Sequence, residues 1–439
     1  MTINTPPRTP AARRRELLAI AIPATLTLLA EPILGVVDTA IAGRIGTAEL
    51  GALGLATSLL AAVTWIFNFL LFGTTSTVAQ ALGRNDRNAA GERLAHAALL
   101  AALLGIGAAL LIYATAPLIV AAAGAVPALV GPTVGYIRVR AIGVPFMLLG
   151  YVGHGAFRGA GDTRYPLGVV FVANLVNLAL NILLVFGLGW GLEGIAAATV
   201  AAEIIIALWL ALTASRKLGL SVRGHGLPTR TQIARLATMS RDLFLRTAAL
   251  AGSIALIAAA AARVGAETAA AHQVIWQVYL LLAFLLDGLA VASQSMVGRA
   301  IGEGDGTELR ATVNEALRWG ATVGAVLAAL LLVGQSWIVS VFTSDSVVKA
   351  LIASVWWLPS LMMPLHALVF VVDGILMGGE DYAFIRRWMV TGAIIGASIA
   401  QIAVSMGGGL LWLWIGYEVV MLFRGVPIVR RAMGDAWLS

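Results

Sequence analysis

The chain has 439 residues, 60% of them hydrophobic and only 12% charged, with a mean hydropathy of +0.91; soluble domains carry about 25% charged residues, so an ordinary soluble fold is excluded. The net charge of +7 comes from basic residues scattered through short loops between apolar stretches, not from a continuous patch, which excludes a nucleic-acid surface. With no cysteine, disulfides, thiolate metal sites and cysteine nucleophiles are excluded as well.

The chain opens on a polar tail, residues 1–16, with Arg8, Arg13, Arg14 and Arg15. The apolar run after it is too long for the core of a cleaved signal peptide, so the tail is expected to be retained. About twelve apolar stretches follow, at 17–43, 50–81, 94–123, 134–157, 164–188, 192–214, 241–262, 269–299, 315–342, 350–377, 385–406 and 409–430. At 1.5 Å per residue each is long enough to cross roughly 30 Å of hydrocarbon as a helix. The expected class is therefore an all-α integral membrane protein seated in a lipid bilayer. Residues 215–240, which hold Arg216, Lys217, Arg223, Arg230 and Arg235, read as a linker between an N-lobe, 17–214, and a C-lobe, 241–430, with a second tail at 431–439.

Most of the 29 lysines and arginines fall in the two tails, the linker and the other even-numbered loops, whereas the odd-numbered loops hold only Arg44, Arg263 and Lys349. The positive-inside rule then puts both termini and the linker in the cytoplasm, in a multi-pass protein of the plasma membrane.

Residue types recur at a constant offset of 219, as from Asp86 to Asp305, with no gap needed. Ala42, Arg44, Gly46, Gly83, Gly105, Pro145, Gly155, Gly159 and Asp162 all find identical residues at that offset. Arginine, proline and aspartate are scarce here, so the coincidence points to a duplicated unit. Six spans per unit is an even number, which makes the two copies parallel repeats and predicts a central cavity between them. Gly155 with Gly159, and Gly374 with Gly378, form GxxxG pairs whose simplest reading is close helix packing. Pro23 and Pro32 in the first span, Pro145 in the fourth and Pro364 in the tenth are expected to bend their helices.

A charge at the bilayer centre costs about 2.5–3.5 kcal/mol on insertion scales, so each polar group in a span needs a partner, a wet cavity or a function. Asp38 lies in the first span, seven residues after Glu31 and on the same helix face. Asn174, Asn177 and Asn181 share one face of the fifth span, and Thr199 follows in the sixth. Adding 219 to Asp38, Asn177, Asn181 and Thr199 reaches Ile257, Gly396, Ala400 and Glu418, so three of the four have no polar twin. A role confined to the first lobe is the expectation. One buried acid suffices to exchange a proton, while Asp38, Asn177, Asn181 and Thr199 together offer the oxygens that sodium prefers; the ion stays open at this point.

Asn68 aligns with Asp287 and His154 with Asp373, so these four, together with Arg246, are further candidates to line a cavity or meet a substrate, or else merely satisfy neighbours; Arg246 is expected to snorkel or to pair with Asp287. Arg138 and Arg140 are placed at an external edge, and Glu203, His272, His366 and Glu418 form no evident constellation. No nucleotide-binding loop, zinc motif or nucleophile elbow is present. An enzyme and an ATP-driven pump are excluded, no cofactor is expected, and an ion gradient is left as the energy source.

The first-span stretch Glu31 to Ala40, the run Leu50 to Gly54, Phe157 to Arg164, Asn177 to Asn181 followed by Gly194 to Thr199, and Asp287 to Gln294 together resemble the multidrug and toxic compound extrusion (MATE) family, within it the DinF-like branch, over nearly the whole chain. The resemblance implies twelve helices in two bundles and an antiporter that exports small organic, often cationic amphipathic compounds by alternating access while protons, or alternatively sodium ions, enter. It makes Asp38 the first-helix coupling acid, makes Asn177 and Thr199 members of a first-lobe cation site, and places Pro23 where some members bend that helix. Some members carry a second acid at the position of Asn181, which is neutral here, and this favours a proton on Asp38. A monomer is the expected functional unit. A lipid-linked precursor flippase of the wider superfamily is the alternative, which Asp38, Asp287 and Asp373 disfavour because an anionic head group would meet acids. A passive channel is a third reading.

Overall fold

A computed structural model describes residues 9–123, 126–220 and 225–434, the side chains of residues 31 and 62–65 excepted. In chain order the helices are α1 (Pro10–Ile45), α2 (Thr47–Thr64), α3 (Phe69–Gly83), α4 (Arg87–Ala122), α5 (Pro127–Gly159), α6 (Arg164–Asn181), α7 (Gly191–Leu218), α8 (Arg230–Val264), α9 (Ala266–Glu303), α10 (Gly306–Phe342), α11 (Ser346–Val355), α12 (Trp357–Gly378), α13 (Tyr382–Ser405) and α14 (Leu410–Met433). Among the described residues, eleven helices are long and apolar enough to cross a membrane, and the bent pair α2–α3 makes a twelfth. Large apolar side chains such as Leu110, Val333 and Trp337 stand exposed on their outer faces, as a lipid solvent permits.

Three boundaries differ from the sequence reading. The second span is interrupted at Trp65–Asn68 by a single 3-10 turn, with a bend of 43° between its two helices. The tenth is divided at Trp356 into α11 and α12. The linker gives up residues 230–240 to α8, which extends well before its apolar part. The tails expected at 1–16 and 431–439 fall partly outside the described residues.

Two compact units emerge, one holding Ile22–Ala234, the other the described residues up to Ala21 together with those from Arg235 onward. The first turns of α1 therefore group with the second unit, and ion pairs explain why. Arg13 donates to both Glu308 oxygens, at 3.0 and 2.8 Å, and Arg299 pairs with Glu16.

The duplication is written into the contacts. A Cβ on Gly105 would lie 2.5 Å from the Pro145 Cα, and one on Gly324 would lie 2.6 Å from the Pro364 Cα, so in each unit a glycine seats a proline-bearing helix against its neighbour. A Cβ on Gly159 would lie 2.7 Å from the Thr75 carbonyl oxygen, and one on Gly378 would lie 2.7 Å from that of Gln294; Gln294 is Thr75 moved on by the repeat. Asp86 and Asp305 cap α4 and α10 by accepting backbone N–H bonds, each worth about 1 kcal/mol. The preceding residues, Asn85 and Gly304, both adopt left-handed backbone, with φ of 58° and 73°.

Within the first unit α5 packs closely along α4 and α7, and within the second α13 packs along α14 and α12 along α9 and α10. The first helix of each copy, α1 and α8, makes no comparably close backbone approach to any other element. The helix that carries Asp38 is thus held mainly by side chains.

Candidate ion-coupling site

Asp38, Asn177, Asn181 and Thr199 come together inside the first unit. Asp38 projects from α1 and is 8% exposed, while Asn177 and Asn181 on α6 are fully buried. The i, i+4 spacing of the two asparagines sets their amides one above the other on a single helix face. The Asn181 amide donates to Asp38 Oδ1 at 2.9 Å and to Asn177 Oδ1 at 3.0 Å. Asn177 in turn donates to the Thr199 hydroxyl at 3.4 Å, a weak bond, and Thr199 donates to the Ile195 carbonyl at 3.0 Å. A four-membered polar chain thus links α1, α6 and α7.

Both hydrogens of the Asn181 amide are spent in this chain, and its oxygen is buried without a partner. Among the described residues no cation pairs with Asp38. Arg140 on α5 acts electrostatically on Asp38 and Tyr136 but is paired with Glu203 on α7 at 2.9 Å. Arg140 and Glu203, read from sequence as an edge residue and an isolated acid, therefore form a partly buried ion pair beside the site. Room for the acid comes from α5, where a Cβ on Gly143 would collide with Glu203.

After Asn181 the helix changes type. Ile182–Gly187 form a π-helical turn, with Leu188 N–H donating to the Leu183 carbonyl at 2.9 Å. Such turns cost stability and concentrate at functional sites. The matching helix of the second unit, α13, stays α-helical to Ser405. There, Gly396 and Ala400 stand where the first unit has Asn177 and Asn181, and the Gly396 and Gly416 backbones touch; a Cβ on Gly416 would sit 2.6 Å from the Gly396 oxygen. Ile257, the twin of Asp38, is buried and apolar. The second unit closes sterically the place where the first holds its polar chain.

The other sequence candidates are dispersed. Pro23 is buried within α1, which continues as helix through both Pro23 and Pro32. The Glu31 side chain lies outside the described residues. Asn68 is half-buried at the end of the 3-10 turn, as are Asn174 on α6, His154 on α5 and Asp287 on α9. Asn174, although on the asparagine face, takes no part in the chain of bonds around Asp38.

Two expectations need correction. Arg246 does not snorkel; it is buried and bonds Asp373. Asp373, expected as a cavity-lining or substrate group, is buried and gripped by both Arg246 and Arg424, because a carboxylate taken out of water requires cations around it.

His366 and Glu418, read as isolated, bond each other across α12 and α14 with 2.6 Å between Nε2 and Oε2. Around them lie Tyr279, Tyr417, Trp276, Trp414 and His272. A readable signal existed for this group: His272, Trp276 and Tyr279 fall at i, i+4 and i+7, and Trp414, Tyr417 and Glu418 at i, i+3 and i+4, each set on one helix face.

Comparison with known proteins places this geometry. The MatE family model matches twice, over residues 23–183 and 243–402, which reproduces the internal repeat. The chain is 33% identical over 425 residues to Protein DETOXIFICATION 44, chloroplastic, of Arabidopsis thaliana, covering 93% of this chain and 80% of that protein. It is 27% identical to DNA damage-inducible protein F of Escherichia coli strain K12, covering 96% and 93%. It shares its fold with a MATE crystal structure in the bent conformation, with a TM-score of 0.88 at 19% identity over 97% of this chain and 96% of that one. A duplicated all-α bundle with twin family matches along both copies is a transporter and not an enzyme, and the chain belongs to the MATE (MatE) family of multi-pass membrane transporters.

Proposed function

We propose that the protein is a proton-coupled antiporter of the plasma membrane, with both termini cytoplasmic, that exports small organic and often cationic amphipathic compounds as a monomer. The observation that carries the reading is a buried carboxylate, Asp38, whose direct bonds go to neutral groups and not to a fixed cation. An acid locked in an ion pair could not give up and regain its proton cheaply. Asp38 instead contacts an amide that serves either form. In one orientation Asn181 donates N–H to the carboxylate; turned over, it offers its oxygen to a protonated carboxyl.

Protonation thereby changes what links α1 to α6, and α1 is the loosely packed helix of its unit. Pro23 sits two residues past the point where α1 passes from one compact unit to the other, and there it supplies the bend for alternating access. Proton and drug drive transport because each favours a different conformation; a ligand that bound all states equally would shift nothing. Sodium is the second reading, since Asp38, Asn177, Asn181 and Thr199 contribute oxygens.

The test is efflux of a cationic dye from proteoliposomes under an imposed pH gradient or an imposed sodium gradient, with wild type and Asp38→Asn. Wild type is expected to run on the pH gradient alone, and Asp38→Asn to lose at least tenfold in rate. A well-folded Asp38→Asn protein that exports dye with unchanged pH dependence overturns the role of Asp38, and efflux driven only by sodium overturns the choice of ion.

A further inference from the structure

We propose that the His366–Glu418 pair is a second proton-carrying site, housed in the unit that has no counterpart of Asp38. The proposal rests on the proton-antiport reading above and extends it.

His366 is fully buried and Glu418 is 3% exposed. Each is the other's single bonding partner among the described residues, at 2.6 Å. The rings around them touch: Tyr279 meets His366 edge-on with 5.3 Å between centroids, Tyr279 and Tyr417 are 5.3 Å apart, and Trp276 and Trp414 lie 5.7 and 5.6 Å from Tyr417. Rings in contact leave no hollow for an organic ion, and the described residues hold no cluster able to bind a metal ion. A proton, with at most a bridging water, is the ligand that fits.

The cluster also carries several buried polar atoms without partners: His366 Nδ1, Glu418 Oε1, Trp414 Nε1 and His272 Nδ1. A pair retained only to knit helices together would have its second nitrogen and second oxygen bonded. Here those atoms are the ones a proton joins or leaves. With one N–H, on Nε2 and donated to Glu418, the pair carries one negative charge. With a second proton on Nδ1 it is neutral, and no other bond is made or broken.

Charges of both signs act on the tyrosines beside the pair. Arg424, six residues beyond Glu418 on α14, acts on both Tyr279 and Tyr417, and Asp287 on α9 acts on Tyr279 from the same cluster. Asp373 on α12 and Arg246 on α8 complete the set, joined to Arg424 in one ion triad. His272 on α9 lies tilted against Trp414, with 5.7 Å between ring centroids. The repeat shows how specific this arrangement is, since His366, Tyr279 and Tyr417 have Met147, Leu60 and Ala198 as their twins in the first unit. Each unit therefore holds one titratable site, built from different residues.

The test is the number of protons moved per ethidium exported by the full chain in proteoliposomes, from the pH gradient that just balances a known dye gradient. Wild type, Asp38→Asn, Glu418→Gln and the double variant His366→Gln/Glu418→Gln are compared, the last keeping two side chains able to bond each other. The expected result is a ratio near two in wild type that falls by about half in either Glu418 variant. A ratio unchanged in folded Glu418 variants but lowered by Asp38→Asn overturns this proposal and leaves the antiport reading standing. A wild type that moves no protons overturns both. If neither Glu418 variant folds, the pH-difference infrared spectrum of Asp38→Asn with carbon-13 histidine decides: a titrating buried imidazole supports the site, and its absence overturns it.

Discussion

Replacing Asp373 by asparagine separates a structural role from a substrate-binding one. The Asp373 carboxylate is the shared partner of two buried guanidinium groups, Arg246 and Arg424, whose side chains are 10% and 4% exposed. Removing the charge of one member of a buried pair costs about 3–5 kcal/mol, because the partner is left uncompensated in a low dielectric. Here two cations share a single anion, so Asp373→Asn belongs at the upper end of that range. The triple variant Arg246→Met/Asp373→Leu/Arg424→Met discards every charge at once, and it should recover most of the loss, since apolar replacements of whole buried ion clusters are commonly neutral or stabilising. Thermal unfolding in detergent, followed by tryptophan fluorescence, reads both effects. If Asp373→Asn melts within about 0.5 kcal/mol of wild type and still loses dye export, the triad is part of the transport chemistry and the reasoning fails.

Asn181→Leu removes the bond that ties Asp38 to α6 and the link from there to Asn177; a hydrogen bond to a charged group is worth about 1.5–3 kcal/mol, so export driven by a pH gradient should slow by roughly tenfold or more, measured as initial dye efflux in proteoliposomes. Gly105→Ala and Gly324→Ala each press a methyl group onto a proline Cα and should each destabilise by about 1–3 kcal/mol, read as paired drops in melting temperature. Arg235→Ala breaks an ion pair whose arginine side chain is 67% exposed; it should change stability by less than about 1 kcal/mol and leave efflux intact.

The span count, the duplication and the polar chain around Asp38 were all legible in the chain because each leaves a periodic or compositional trace. The asparagine face of α6 follows from spacing alone. Its meeting with Asp38 was suggested by scarcity, since few other polar groups lie within the spans. The Arg140–Glu203 and His366–Glu418 pairs escaped because their partners are 63 and 52 residues apart in sequence, as the numbering shows, on helices whose facing edges no single-helix pattern reveals. For Asp373 the choice between lining a cavity and satisfying neighbours stayed open for the same reason: the two arginines that neutralise it, on α8 and α14, come alongside only in the fold. The breaks at Trp65–Asn68 and Trp356 lie inside runs of unbroken hydrophobicity, so composition conceals them.

The glycine seam between α13 and α14 has a consequence for how such a chain can change over evolutionary time. Gly396 and Gly416 leave no volume for even a methyl group, so an asparagine at residue 396 would have to force two helices apart before it could offer an amide to anything. No single substitution can recreate the Asp38 arrangement in the second copy. Duplication supplied two equal starting points, and this seam made one of them a dead end for that design; of the four polar positions only Thr199 keeps a polar counterpart, Glu418, and new chemistry in the second copy starts from there.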